Sequence, residues 1–191
     1  MAAEWPMMQG KRGSISVAFG LGELAVYPAH GVGLIESRER RTVGSRNYDL
    51  LVLRILENGL KIMIPAQNIR EVGLRPLMGL SEVEKVFEVF RARPRTPESL
   101  NWSRRHREYM EKIKTGSPYD VAEVMGELLA MRGEKELSFG ERKLLDTVTM
   151  LLVKEVALAS NRSEAEVEAA IAACFPPPKS SAAKAGPDQP H

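Results

Sequence analysis

Apolar positions in this chain follow two periods, and the change comes near Ser81. Before it they fall in short runs rich in β-branched residues: GELAVYP, GVGLIES, SRNYDLLVLRIL, LKIMIP and EVGLRPL. Pro28 and Gly31 split the first two runs. Asn58-Gly59 separates the third from the fourth, and Asn-Gly between apolar runs is a strong hairpin signal. Pro65 ends the fourth run because it cannot donate to a ladder. Short strands with tight turns packed into about 60 residues predict a small, strongly bent antiparallel barrel. Such a barrel has no room for a ligand cavity, so its usable surface is a face or an edge.

From Ser81 the period is that of a helix. Val83, Val86, Phe87 and Phe90 form one apolar stripe. Leu144, Leu145, Val148, Leu151, Leu152 and Val156 form another. Ser81-x-x-Glu84, Ser138-x-x-Glu141 and Ser163-x-x-Glu166 match the capping box, and Ser117 precedes Pro118 at a helix start. Asn101 is placed to cap a further helix, WSRRHREYMEKIK, while Gly116 and Gly133 stand where helices end. The expected fold class is therefore α+β, a small β-barrel followed by a compact all-α domain of about five helices. The expected division is a flexible extension over 1–16, a β domain over 17–80, a helical domain over 81–175 and a disordered tail over 176–191. The tail, PPPKSSAAKAGPDQPH, is poor in apolar residues.

Charge alters this picture at one place. The formal net charge is +2, yet Arg91 to Lys114 holds eight Lys or Arg against three Glu. Concentrated positive charge attracts a polyanion, although a solvated helix face has the same composition. One of only two tryptophans, Trp102, sits in this segment beside Arg104, Arg105 and Arg107. A tryptophan at a helix start is either a hydrophobic staple or an aromatic held outward. Tyr109 and Met110 fall on the expected inner face.

Catalytic chemistry finds little support. The three histidines and the single Cys174 offer no zinc spacing, no serine has a nucleophile-elbow context, and no Walker A sequence occurs. The Gly20 to Gly22 and Gly31 to Gly33 pairs lie between strands and read as turn glycines. The chain is expected to be no enzyme and to need neither cofactor nor metal. The start MAAEWPMMQGKRGS has no apolar core of a secretory leader, and the most apolar run, LLDTVTMLLV, is interrupted by Asp146. A cytoplasmic protein, monomeric and away from membranes, is the expectation; a lone cysteine agrees with a reducing compartment.

The runs AVYPAHGVG, VLRILENGLKIMIP, VGLR, NWSRRHREYMEKIKTG and LSFGERKLLDTVTMLLVKE occur in this order between about Phe19 and Phe175. Together they resemble the CarD/CdnL family of bacterial transcription regulators. The N-terminal part is also similar to the RNA-polymerase-interacting domain of transcription-repair coupling factors, and no helicase motor accompanies it. The resemblance implies a Tudor-like (SH3-like) N-terminal fold that meets the polymerase β subunit at a sheet edge. Arg41, Val52 and Met63 are the matching positions. Some members of the family carry arginine where this chain has Met63, so an apolar contact is expected there; core packing is the other reading of Val52 and Met63. For the helical half, the resemblance implies contact with promoter DNA at the upstream edge of the transcription bubble, largely without sequence preference. Trp102 would act as a wedge there, with Arg104, Arg105 and Arg107 on phosphates. The implied function is to bind polymerase and stabilise the open promoter complex, near the nucleoid through polymerase. The alternative is a polymerase-bound scaffold whose helices contact another protein.

Overall fold

A computed structural model describes residues 19–28, 30–92 and 101–175. The expected N-terminal extension, most of the loop before the basic helix and the proline-rich tail lie outside the described residues. The chain divides between Leu77 and Met78 into two compact units.

The first unit is an antiparallel sheet of β1 (Leu24–Tyr27), β2 (Gly31–Val43), β3 (Arg46–Ile55), β4 (Lys61–Pro65) and β5 (Arg75–Pro76), in the order β4-β3-β2-β1-β5. The sheet is open, where the sequence led us to expect a barrel. Its outermost strands are short, and β5 holds β1 through only two residue pairs, Ala25–Pro76 and Val26–Arg75. Pro65 and Pro76, which lack an N–H, limit how far these edges extend.

The polar stretch Arg38–Val43 carries no strand signal in the sequence, yet it is strand. It pairs with Arg46–Leu51 to extend the central hairpin, turning at Gly44, whose φ of 63° suits a residue without a side chain. Glu36 is the extra residue of a bulge between Ile35 and Ser37. Its carboxylate receives Lys61 at 2.8 Å and Arg54 at 2.5 Å, and these bonds hold its pKa below the usual range. One face of the sheet carries the apolar core, formed by Phe19, Ala25, Ile35, Leu51, Leu53, Ile55, Ile64 and Leu74.

The second unit contains α1 (Leu80–Arg91), α2 (Trp102–Lys114), α3 (Pro118–Glu134), α4 (Phe139–Ser160) and α5 (Glu164–Cys174). Ser138 and Ser163 form the expected reciprocal caps with Glu141 and Glu166. Helix α1 starts earlier than the Ser81 box implied. Glu82 accepts the Gly79 N–H at 2.9 Å, and the Met78 N–H donates to the buried Glu155 carboxylate at 3.2 Å, which fixes the entry of the chain. Helix α3 runs through Gly133 to Glu134. Both predicted apolar stripes are buried, and α3 supplies Val121, Val124, Met125 and Leu128 between them. Burying each such side chain is worth about 1.5–3 kcal/mol, which is what holds five short helices together. No helix among the described residues is long and apolar enough to cross a membrane.

Candidate functional site

The sheet register puts the three N-terminal candidates on one face, with Val52 beside Met63. Arg41 pairs with Tyr48, and Val52 pairs with Met63 on one side and Ser37 on the other. Tyr48 and Val52 are separated by two strand periods, so Arg41, Val52 and Met63 share one face, opposite the apolar core. Their environments differ. Met63 is 43% exposed on the outermost strand β4, whereas Val52 is 3% exposed. Arg41 is exposed and forms an ion pair with Glu39 at 2.9 Å. Val52 thus reads as a packed residue supporting this face, and Met63 and Arg41 as its accessible part. Val43, Tyr48 and Leu50 lie on the same face and were not singled out from sequence; Val43 is exposed. For Tyr48 and Leu50 the alternation with Asn47 and Asp49 was the available signal; Val43 ends a polar run that gives none.

In the helical unit, Asn101 caps α2 by accepting the Ser103 N–H at 3.0 Å, which puts Trp102 in the first turn. The indole is half-buried, packed against the core and onto the first turn of α4. A Cβ added to Gly140 would lie 2.9 Å from Trp102 Cζ2 and 3.2 Å from Nε1. Only glycine leaves room for the ring at that place. The His106 ring, one turn on, stands 5.2 Å from the indole.

Arg105 is not a surface cation. Its guanidinium meets Glu141 at 2.5 Å, both side chains are buried, and it lies 5.9 Å from the centroid of the indole. Burial would raise the Glu141 carboxyl, but hydrogen bonds at Ser138 and the charges of Lys135 and Arg105 outweigh it and hold the group below the ordinary glutamate range. Glu141 engages this guanidinium through one amino group, and its buried Nε has no hydrogen-bond partner. Arg105 was expected on DNA; its position makes it a clamp between α2 and α4. The repeating Arg-Arg pattern gave no sign of this, because Glu141 lies 36 residues away. Arg104 and Arg107 point outward, and Arg104 makes a loose pair with Glu108 at 3.2 Å.

Tyr109 is buried as expected and donates its hydroxyl to Glu127 at 2.8 Å; burial first, then that carboxylate, pushes its pKa up. Lys112 meets the same Glu127 at 3.7 Å and pairs with Glu123 at 3.0 Å. These contacts pin α2 to α3 and use the C-terminal part of the basic segment for structure. Phe139, at the first position of α4, is 77% exposed and was overlooked in the sequence. No group of three or more potential metal ligands occurs among the described residues.

Residues 19–78 match the CarD-like/TRCF RID domain, and residues 85–172 match the CarD C-terminal domain. The chain is 29% identical over 150 residues to YdeB of Bacillus subtilis (strain 168), whose name proposes a transcription factor; the alignment covers 78% of this chain and 97% of YdeB. It is also similar to the solved structure of CdnLNt from Myxoccoccus xanthus, at 42% identity over 35% of this chain and 93% of that one, with a TM-score of 0.29. The two matched domains follow one another in sequence and span well over half of the chain. The chain belongs to the CarD/CdnL family of transcription regulators, with the RNA-polymerase-interacting domain in its sheet unit and the CarD C-terminal domain in its helical unit.

Proposed function

We propose that this protein binds the RNA polymerase β subunit through the sheet face and β4 edge around Arg41 and Met63, and stabilises the open promoter complex through Trp102. The observation that carries the reading is the seat of Trp102. A partly buried indole is held by Gly140 and by the Arg105–Glu141 clamp at the start of a helix whose neighbouring cations, Arg104 and Arg107, face outward. A rigidly held aromatic beside exposed cations suits a base step that has lost a stacking partner, with the arginines neutralising phosphates. Val52, buried on the same face beside Met63, packs that face, and Arg105 positions Trp102. An edge strand such as β4 can add a partner strand through its backbone, while Met63 offers an apolar contact.

Footprinting of promoter DNA with and without polymerase tests this. The proposed role requires protection near the upstream bubble edge that depends on polymerase. Protection without polymerase would instead mark a free-standing DNA-binding protein. Polymerase binding with no DNA protection would mark a scaffold whose helices meet another protein.

A further inference from the structure

Phe139 is the most exposed large apolar side chain among the described residues and the one aromatic in that group. The fold does not require it to be apolar. The cap of α4 is made by Ser138 and Glu141, and the apolar stripe of that helix begins at Leu144. Its position is informative: Phe139 directly precedes Gly140, the residue on which the Trp102 ring rests. The exposed charges before it are mixed, Glu134, Lys135 and Glu136, while Arg142 and Lys143, three and four residues on, are exposed cations on its own side of the helix. Arg142 makes only a surface pair with Glu136 at 3.2 Å. An exposed aromatic with cations on its own side of a helix is an arrangement used for single-stranded nucleic acid.

We propose that Phe139 is a second base-contacting side chain, stacking on an unpaired DNA base beside the one met by Trp102. Stacking needs only a π-face, so the contact would not favour any base and would extend the hold on the melted strand without adding sequence preference. The inference rests on the reading of Trp102 as an open-complex contact.

The test uses the full chain with polymerase on a promoter and compares open-complex half-lives for wild type, Phe139→Ala, Phe139→Tyr and Trp102→Ala. Phe139→Ala should shorten the half-life roughly fivefold or more with no change in melting temperature, and Phe139→Tyr should stay near wild type. A wild-type half-life for Phe139→Ala alongside a shortened one for Trp102→Ala overturns this inference alone. Stacking by Phe139 is equally overturned if Phe139→Tyr is as impaired as Phe139→Ala, or if Phe139→Ala lowers the melting temperature. An unchanged half-life for Trp102→Ala overturns the underlying reading of Trp102, and this inference with it.

Discussion

Trp102 and Gly140 meet across the first turns of α2 and α4, with the indole so close that a methyl group on residue 140 would stand 2.9 Å from Cζ2. Gly140→Ala should therefore push the partly buried ring outward, since the helix backbone is the stiffer of the two. We expect a stability loss of about 1–3 kcal/mol from overpacking, with a shifted indole emission. Fluorescence in a background lacking the other tryptophan, Trp5, would read that shift. An unchanged spectrum and melting temperature would mean that Gly140 does not hold the ring.

The clamp formed by Arg105 and Glu141 makes a separate prediction. Removing one partner of a buried pair leaves the other charge without compensation, so Arg105→Ala should destabilise the protein by about 3–5 kcal/mol. The Glu141 pKa is lowered by folding, so its contribution is complete above the ordinary glutamate range and is lost as the pH falls through the lowered value. The melting temperatures of wild type and Glu141→Gln should differ at neutral pH and converge in acid. A constant difference across that range would contradict an ionised Glu141.

Arginines that neighbour one another in sequence should behave differently. Arg104→Ala and Arg107→Ala should leave the melting temperature within about 2 °C of wild type, as exposed substitutions do. Each should lessen the salt dependence of promoter binding by about one unit of slope. Arg105→Ala should instead lower stability and alter the salt slope little at temperatures where it is folded. Equal salt effects for all three would show that Arg105 leaves its clamp in the complex.

On the sheet, exposure separates Met63 from Val52. Met63→Glu should weaken binding to the β subunit tenfold or more, roughly 1.4 kcal/mol, while leaving the sheet unit folded. Val52→Glu should unfold the unit or destabilise it by several kcal/mol, because a charge would be buried without a partner. Binding by titration and folding by NMR on each variant decide the matter. Intact β binding by a folded Met63→Glu protein would remove this face from the interface.

Local signals carried much of the fold. The caps at Asn101, Ser117, Ser138 and Ser163 are set by residues within three positions of each other, and the two apolar stripes by a repeat within one helix. The α1 cap illustrates the limit: of two overlapping boxes, Gly79 with Glu82 is the one formed, beside a Met78 N–H held by Glu155, far along the chain. The strand segment Arg38–Val43 was missed because it is a polar run, so no alternation marks it. In the site, composition drew attention to Trp102 and the basic segment, but it left the indole open between a staple and an outward aromatic, and only the resemblance favoured the second. The seat of the indole and the burial of Arg105 were not legible, since both depend on a helix that begins more than thirty residues downstream.

The most direct measurement of the central claim is the half-life of open promoter complexes formed with wild-type and Trp102→Ala protein, each saturating polymerase. The indole is half-buried, so a modest fall in melting temperature is expected, smaller than the roughly 3–5 kcal/mol cost of deleting a core tryptophan. The account predicts that the half-life falls roughly tenfold or more at a temperature where the variant is folded and polymerase-bound. A Trp102→Ala protein that remains bound and gives the wild-type half-life would contradict it.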